Sequence, residues 1–117
     1  MTGTPTWIRP LAEAPATARE VRGSLSRTRQ DLFTEWAAGL GFPGHFGRNW
    51  DAFTDCLRDV GPLAVVVREA GDLLADAPPG ELGVLLDVLG ENGLVTLHPD
   101  DTPERLERFT ERLSGAS

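Results

Sequence analysis

The stretch FPGHFGRNWDAFTDCLRDV, residues 42–60, carries the strongest structural signal in the chain. It predicts a tight loop followed by a short helix. Pro43 and Gly44 are typical of turns, because proline fixes its own φ and glycine permits a positive φ. Asn49 is a favourable N-cap residue just before the helix. The apolar side chains of that helix recur at spacings of three or four residues and form one stripe, at Trp50, Phe53, Leu57 and Val60.

A second face of this predicted helix carries three acids, Asp51, Asp55 and Asp59, each four residues from the next. Like charges at this spacing lie side by side and destabilise a helix by roughly 0.2–0.5 kcal/mol per pair. The helix dipole favours Asp51 in the first turn, but it does not favour Asp59 near the end. The pattern fits either a solvated polar face or an anionic face built for a cationic partner.

Length and charge limit the possible classes of protein. The chain has 117 residues, which is typical of one domain with one core. Its net charge is −7, with +2 in residues 1–48 and −9 in residues 49–117. Binding nucleic acid through its phosphates requires a basic surface, so we expect no nucleic-acid partner. No apolar run reaches about 18 residues, so we expect no membrane span.

The N-terminal sequence and the single cysteine predict a cytoplasmic location. The first residues, MTGTPTWIRPLAEAP, show no charged segment followed by an apolar one, so we expect no secretory signal. Cys56 has no second cysteine with which to form an internal disulfide, which fits a reducing compartment.

Strand-like and helix-like segments alternate along the rest of the chain. We expect residues 1–17, with three prolines, to form an extended arm with Trp7 and Ile8 tucked on the body. Strands are predicted at residues 18–25, 63–67 and 94–98, and helical segments at residues 28–39, 50–60, 69–76 and 81–91, with a last helix starting at residues 101–104. This alternation predicts a single small α/β domain with a three-stranded parallel sheet.

The helix at residues 28–39 has recognisable start and stop signals. Thr28 is expected to cap it, with Asp31 three residues later in a near match to a capping box. Gly39 and Gly41 are expected to end it.

Few residues are candidates for catalysis. Cys56 follows Asp55, whose carboxylate would raise the thiol pKa, so we interpret Cys56 as a half-buried structural residue. His98 is interpreted as a surface-loop histidine rather than a base or ligand. Two histidines and one cysteine without ligand spacing predict no metal site. The chain has no glycine pattern for cradling phosphate, so we expect no cofactor.

The loop and helix at residues 42–60 combine aromatic and acidic residues. Aromatic anchors beside acids that can be desolvated are typical of protein–protein hot spots. Such a surface would suit a basic target. Its members are His45, Phe46, Asn49, Trp50, Asp51, Thr54, Asp55 and Asp59.

Residues 42–57 resemble the barstar family, small cytoplasmic inhibitors of barnase-type ribonucleases. The family pattern is met here by Pro43, Phe46, Gly47, Asn49, Trp50, Asp51, Ala52, Asp55, Cys56 and Leu57. The resemblance extends over residues 18–98 and implies a three-stranded parallel sheet packed with four to five helices. The N-terminal arm, residues 1–17, and an additional C-terminal helix packed on the domain, residues 99–117, lie outside it.

The resemblance also implies a mechanism, in which the loop and helix plug the ribonuclease active site. Asp55 would take the place of an RNA phosphate among arginines and a histidine of the enzyme, and Asp51 would pair with an enzyme arginine. His45 would stand where the family has a tyrosine that stacks on the catalytic histidine. The residues implied to shape the loop and pack at the interface are Gly47, Asn49 and Trp50.

This sequence departs from the family pattern near the implied interface. His45 and Phe46 replace the usual tyrosines, and Thr54 lies where a tryptophan is common. Arg58 and Asp59 replace small residues, and Arg58 would repel an arginine-rich target.

We therefore expect a non-enzymatic inhibitor that is a monomer when free and forms a 1:1 complex with a secreted basic ribonuclease of the barnase type. The family has a further acid on a later helix, for which Asp87 and Glu91 are both candidates without a secure match. An alternative is a barstar-like binding module or immunity protein for another basic partner or nuclease toxin. A small hydrolase that uses His45 or His98 with acids is a third hypothesis.

Overall fold

The computed structural model describes residues 5–44, 47–91 and 93–116. In these residues the chain forms seven regular elements: β1 (Arg19–Arg22), α1 (Arg29–Leu40), α2 (Trp50–Val60), β2 (Leu63–Arg68), α3 (Gly80–Glu91), β3 (Val95–Pro99) and α4 (Pro103–Ala116). Single 3-10 turns lie at Leu11–Glu13, Gly23–Leu25 and Ala70–Asp72. None of the helices in this part of the chain is long and apolar enough to cross a membrane.

The three strands form one parallel sheet in the order β1-β2-β3. Val65 of the central strand lies between Arg19 of β1 and Leu97 of β3. The apolar run of β2 is buried at Val65, Val66 and Val67, as expected for a strand with a parallel neighbour on each side. The predicted α/β class and the three-stranded parallel sheet with four helices are confirmed.

The core is one continuous cluster that joins the sheet to all four helices. Each helix contributes apolar residues at helical spacing, and those of α3 include Leu82, Leu85, Leu86 and Leu89. The largest fully buried side chains are Trp36, Phe33, Phe53, Phe109, Leu32, Leu40, Leu57, Leu73, Leu85, Leu89, Leu97 and Leu113.

Helix α1 begins as the sequence predicts, but the role of one glycine differs. The Thr28 hydroxyl oxygen accepts a hydrogen bond from the Asp31 N–H at 3.2 Å, and Gly41 ends the helix with a φ of 75°. The prediction that Gly39 also ends the helix is wrong, because Gly39 lies inside α1. A Cβ atom there would lie 2.8 Å from the Glu20 carbonyl oxygen, so glycine lets α1 approach β1 closely.

The first predicted strand is too long. Residues 18–25 were expected to be extended, but β1 ends at Arg22 and a 3-10 turn begins at Gly23. Gly23 is buried, and a Cβ atom there would lie only 2.1 Å from the Glu69 carbonyl oxygen. The chain therefore turns at Gly23, where the backbone after β1 packs directly against the backbone at Glu69, after β2.

The free edge of β3 is covered by the N-terminal arm. The Leu97 N–H donates to the Trp7 carbonyl at 2.9 Å, the Arg9 N–H donates to the Leu97 carbonyl at 2.8 Å, and Ile8 forms a parallel bridge with Leu97. The Trp7 indole lies against α3, since a Cβ atom on Gly90 would be 2.8 Å from its Nε1. Pairing of this kind removes an exposed sheet edge.

Two buried residues and two arginines hold helix α4 against the rest of the domain. Phe109 and Leu113 are 1% and 2% exposed. Arg105 pairs with Asp72 at 2.5 Å, and the Arg112 guanidinium donates to the Leu73 carbonyl at 2.7 Å. These contacts tie α4 to the turn that follows β2.

Candidate protein-binding site

Helix α2 is held in place by an aromatic cluster beneath it. Phe53 and Leu57 of this helix are fully buried. The rings around Phe53, at centroid distances between 5.6 and 5.9 Å, are those of Phe33, Trp36, Phe42 and Trp50. Edge-on and tilted contacts of this kind contribute about 0.5–1.5 kcal/mol each beyond the area that they bury. The aromatic cluster thus fixes the orientation of α2, and with it the direction in which the outer side of the helix faces.

The outer side of α2 presents Asp51, Asp55 and Asp59, which we call the acidic face. All three residues are exposed, and 74% of the Asp55 side chain is accessible to solvent. Residues four apart on an α-helix rise about 6 Å along its axis. The acidic face is therefore a row of carboxylates on consecutive turns, as the sequence predicted.

The acidic face makes few contacts with the described part of its own chain. Asp55 forms an ion pair with the Arg58 guanidinium at 3.8 Å, and the Arg58 side chain is 58% exposed. Exposed pairs contribute only about 0–1 kcal/mol. Among the described residues, Asp51 and Asp59 make no side-chain hydrogen bond or ion pair. The negative charge of the face is thus exposed to solvent, and no close buried partner in these residues neutralises it.

The loop before α2 is fastened at its second half. The Asn49 Oδ1 atom accepts a hydrogen bond from the Ala52 N–H at 2.8 Å, as predicted for an N-cap, and the Asn49 amide donates to the Gly47 carbonyl at 3.3 Å. Arg48 has a φ of 54°, an unusual conformation for a non-glycine residue, and its guanidinium donates to the Thr34 hydroxyl at 2.6 Å. Through this hydrogen bond, α1 holds Arg48 in its unusual conformation, and the backbone at Arg48 directs the chain into α2.

Trp50 connects the site to α3 and α1. Its indole N–H donates to the Glu81 carboxylate at 3.3 Å, and its ring meets Phe33 edge-on at 5.1 Å. The other Glu81 oxygen lies 3.5 Å from an Arg29 guanidinium nitrogen. Because the Glu81 side chain is only 18% exposed, it acts as a partly buried bridge between three helices.

Replacing Glu81 with alanine should lower the free energy of unfolding by about 1–2 kcal/mol, because it leaves a half-buried indole N–H without an acceptor. Glu81→Gln keeps an acceptor and should cost less than half as much. Urea unfolding followed by tryptophan fluorescence measures both variants. Exposed Glu107 on α4 provides the control, since Glu107→Ala should change stability by less than about 0.5 kcal/mol. Equal losses in the alanine and glutamine variants would contradict this role for Glu81.

The structure describes some of the remaining predicted site residues but not all of them. Gly47 is exposed, and a Cβ atom there would make only ordinary contact, 3.4 Å from the Asn49 amide nitrogen. Thr54 is half-buried, and its hydroxyl donates to the Trp50 carbonyl at 2.9 Å. His45 and Phe46 lie outside the described residues.

Cys56 fits its predicted structural role. Its side chain faces the core and is 8% exposed. Burial raises the pKa of the Cys56 thiol, and the charges of Asp59 and Asp55 raise it further. The thiolate that a nucleophile requires is thus disfavoured.

The prediction that His98 is a surface-loop residue is wrong. His98 lies within β3 and is 2% exposed. Its Nδ1 lies 2.9 Å from the Pro10 carbonyl oxygen, which can only accept, so this nitrogen carries the proton. Strand β3 continues one residue further than predicted, and the N-terminal arm packs across it. His98 is therefore inside the protein and not in a surface loop.

Two residues that shape the site were not predicted, namely Arg48 and Glu81. No local pattern signals either one, because arginine rarely adopts a positive φ and the Trp50–Glu81 contact joins residues 31 positions apart. No group of His, Cys, Asp or Glu suited to a metal ion occurs within residues 5–44, 47–91 and 93–116.

The fold and the acidic face together define a small parallel α/β domain that presents an anionic helix to solvent. A family model described as Barstar (barnase inhibitor) matches residues 16–97, which is more than half of the chain and includes all of α2. The chain belongs to the barstar family. Members of this family are inhibitors rather than enzymes. A comparison with curated proteins found no match.

Proposed function

We propose that this protein inhibits a barnase-type ribonuclease by inserting the acidic face of α2 into the active site of the enzyme. The observation that carries the proposal is Asp55, which is 74% exposed on a helix anchored from below and whose ion pair with Arg58 is long and exposed. A ribonuclease active site is preorganised for phosphate. A carboxylate held at that position satisfies the same donors and has no bond for the enzyme to cleave.

We propose a separate role for each acid of the face. Asp55, in the middle of α2, would take the phosphate position, where charge-assisted hydrogen bonds from arginine are short and often bidentate. Asp51, one turn earlier, would pair with a second enzyme arginine. Asp59, one turn later, would lie at the rim, where a charge affects the rate of association more than the affinity.

Residues beside the acidic face complete the proposed interface. Trp50 and Thr54 flank Asp51 and Asp55, while Gly47 and Asn49 set the path of the loop. By the family resemblance, His45 would meet the catalytic histidine of the enzyme, with Phe46 beside it. Each of these contacts is part of the proposal.

A further acid from α3 is expected to join the interface. The Trp50–Glu81 hydrogen bond brings the start of α3 next to the start of α2. Asp87 and Glu91 are both exposed on α3 and lie one turn apart. Each of them is a candidate for this further acid, and alanine replacement of each distinguishes them.

The overall charge supports a basic partner. The net charge of −7 favours encounter with a cationic protein and disfavours nucleic acid. We propose a 1:1 complex with a secreted basic ribonuclease, formed by a cytoplasmic protein that is monomeric when free and protects the cell that makes the enzyme. Another nuclease toxin with an anion-binding site is the second candidate partner, favoured by Arg58, which the family pattern does not have beside these acids.

The proposal is tested by adding increasing amounts of this protein to each member of a panel of barnase-type ribonucleases. Barnase is the first enzyme of the panel. RNA cleavage by an enzyme that this protein recognises should fall linearly to zero at one equivalent of inhibitor. Inhibition should weaken as salt is raised, because the attraction between exposed charges is screened. Full RNA cleavage by every enzyme of the panel in the presence of excess protein would refute the proposal, and so would hydrolysis of RNA by this protein alone.

A further inference from the structure

A cavity of about 310 Å³ lies between α4 and the segment that leads from β2 into α3. A volume of this size with mainly apolar walls is typical of pockets that bind small molecules. The lining residues that the structure describes do not include any residue of α2, so the cavity is separate from the acidic face. Its walls include Leu74, Ala75, Pro79, Leu82, Arg112 and Gly115.

Arg112 gives this cavity a positive charge. The side chain is half-buried, and its guanidinium donates to the Gly71 carbonyl at 3.1 Å and to the Leu73 carbonyl at 2.7 Å. Both acceptors are neutral, and among the residues that the structure describes no carboxylate lies within 4 Å of the guanidinium nitrogens. These bonds use two of the five N–H groups of the guanidinium, so donors remain for a further acceptor.

Asp72 does not neutralise Arg112 at contact distance. It attracts the Arg112 charge from farther away, while its Oδ1 atom accepts hydrogen bonds from Arg27 at 2.8 Å and from Arg105 at 2.5 Å. Burial lowers the pKa of the Arg112 guanidinium, and the attraction of Asp72 offsets this only in part. An anion beside Arg112 would therefore be bound more strongly than one beside a fully solvated arginine, because partial burial weakens the screening by water.

We propose that this cavity binds a small organic carboxylate with an apolar body. The carboxylate would pair with Arg112 through charge-assisted hydrogen bonds, which are roughly twice as strong as neutral ones. The apolar body would lie against Leu74, Pro79 and Leu82. Such a ligand would connect α4 to the start of α3. The inference does not depend on the proposed function, because the acidic face contributes nothing to this site.

The test uses the full-length protein and two probes of similar shape, benzoate and the uncharged benzamide. Backbone amide NMR spectra are recorded as each probe is added, with the ionic strength kept constant by chloride. We expect benzoate to shift the amide signals of Ala75, Leu82 and Gly115 and the shifts to saturate with a Kd on the order of 1 mM. Benzamide should bind at least about tenfold more weakly, because it carries no charge for Arg112 to attract.

Two variants test the two parts of the site. Arg112→Met removes the charge, and Gly115→Leu adds a side chain at the cavity wall while Arg112 and its bonds to the rest of the domain remain. A Cβ atom on Gly115 would meet no heavy atom within 4 Å among the described residues, so the fold should accept this change. Each variant should weaken benzoate binding at least about tenfold.

Arg108→Met is the control for the loss of charge. Arg108 is exposed on α4, one turn before Arg112, so Arg108→Met should change the benzoate affinity by no more than about twofold. Benzoate that causes no saturable shift at the cavity, or that binds no more tightly than benzamide, would overturn the inference. Unchanged benzoate affinity in Gly115→Leu would overturn it too, and so would shifts confined to exposed arginines.

Discussion

Asp55→Ala should lose tight inhibition of a barnase-type ribonuclease while the protein remains as stable as the wild type. In the proposed complex Asp55 is desolvated among enzyme arginines. Removing one partner of such a buried pair costs about 3–5 kcal/mol, because it leaves the other charges unpaired. The inhibition constant should therefore rise by a factor on the order of a hundred to several thousand.

The stability of the same variant distinguishes a binding defect from a folding defect. In the free chain Asp55 is repelled by the acids one turn away, at roughly 0.2–0.5 kcal/mol per pair, and its exposed pair with Arg58 offsets only part of this. Asp55→Ala should thus unfold at the same urea concentration as wild type, or at a slightly higher one. Loss of inhibition together with loss of stability would contradict the exposed position of Asp55.

Two further variants define which property of Asp55 matters. Asp55→Asn keeps the size and one acceptor oxygen but removes the charge, and it should inhibit nearly as poorly as Asp55→Ala. Glu107→Ala removes the same charge from the exposed side of α4, and its inhibition constant should stay within about twofold of the wild type. An Asp55→Asn variant that inhibits as tightly as wild type would show that charge is not the source of the affinity.

Gly23→Ala should make the protein unfold much more readily. The added Cβ atom would lie 2.1 Å from the Glu69 carbonyl oxygen and 2.9 Å from its carbonyl carbon. These atoms belong to the backbone just after β2, so no side-chain rotation can relieve the collision. We expect a loss of more than about 3 kcal/mol in the free energy of unfolding, measured by urea titration with tryptophan fluorescence.

Gly80 provides the matched control for this prediction. It is the first residue of α3, and a Cβ atom there would meet no heavy atom within 4 Å among the described residues. Gly80→Ala should leave stability unchanged or raise it by up to about 1 kcal/mol, since alanine reduces the freedom of the unfolded chain. Similar unfolding midpoints for Gly23→Ala and Gly80→Ala would show that the backbone segments after β1 and β2 do not pass in contact.

The elements that local patterns encode could be predicted from the sequence. The cap at Asn49, the apolar stripe of α2 and the acids on its opposite side follow from spacing alone, and the structure reproduces them. The strands of the parallel sheet followed from short strand-like segments that alternate with helical ones. Each of these signals lies within a few residues of the element that it predicts.

Features that depend on contacts between distant segments could not be predicted. Gly39 looked like a helix stop because its close approach to β1 is not visible in the sequence. His98 looked exposed because the arm that covers it is 88 residues away along the chain. Glu81 and Arg48 support the site through contacts of the same kind. The division into an arm at residues 1–17, a domain at 18–98 and an added helix at 99–117 stays a prediction.

Competition with substrate measures most directly whether the acidic face takes the place of an RNA phosphate. The inhibition constant of the wild-type protein for a barnase-type ribonuclease is determined at several RNA concentrations and with a mononucleotide bound in the active site. Our account predicts that the apparent inhibition constant rises linearly with the RNA concentration and that the mononucleotide and this protein exclude each other. An inhibition constant that is independent of RNA concentration, with the mononucleotide and the protein bound to the enzyme together, would contradict it.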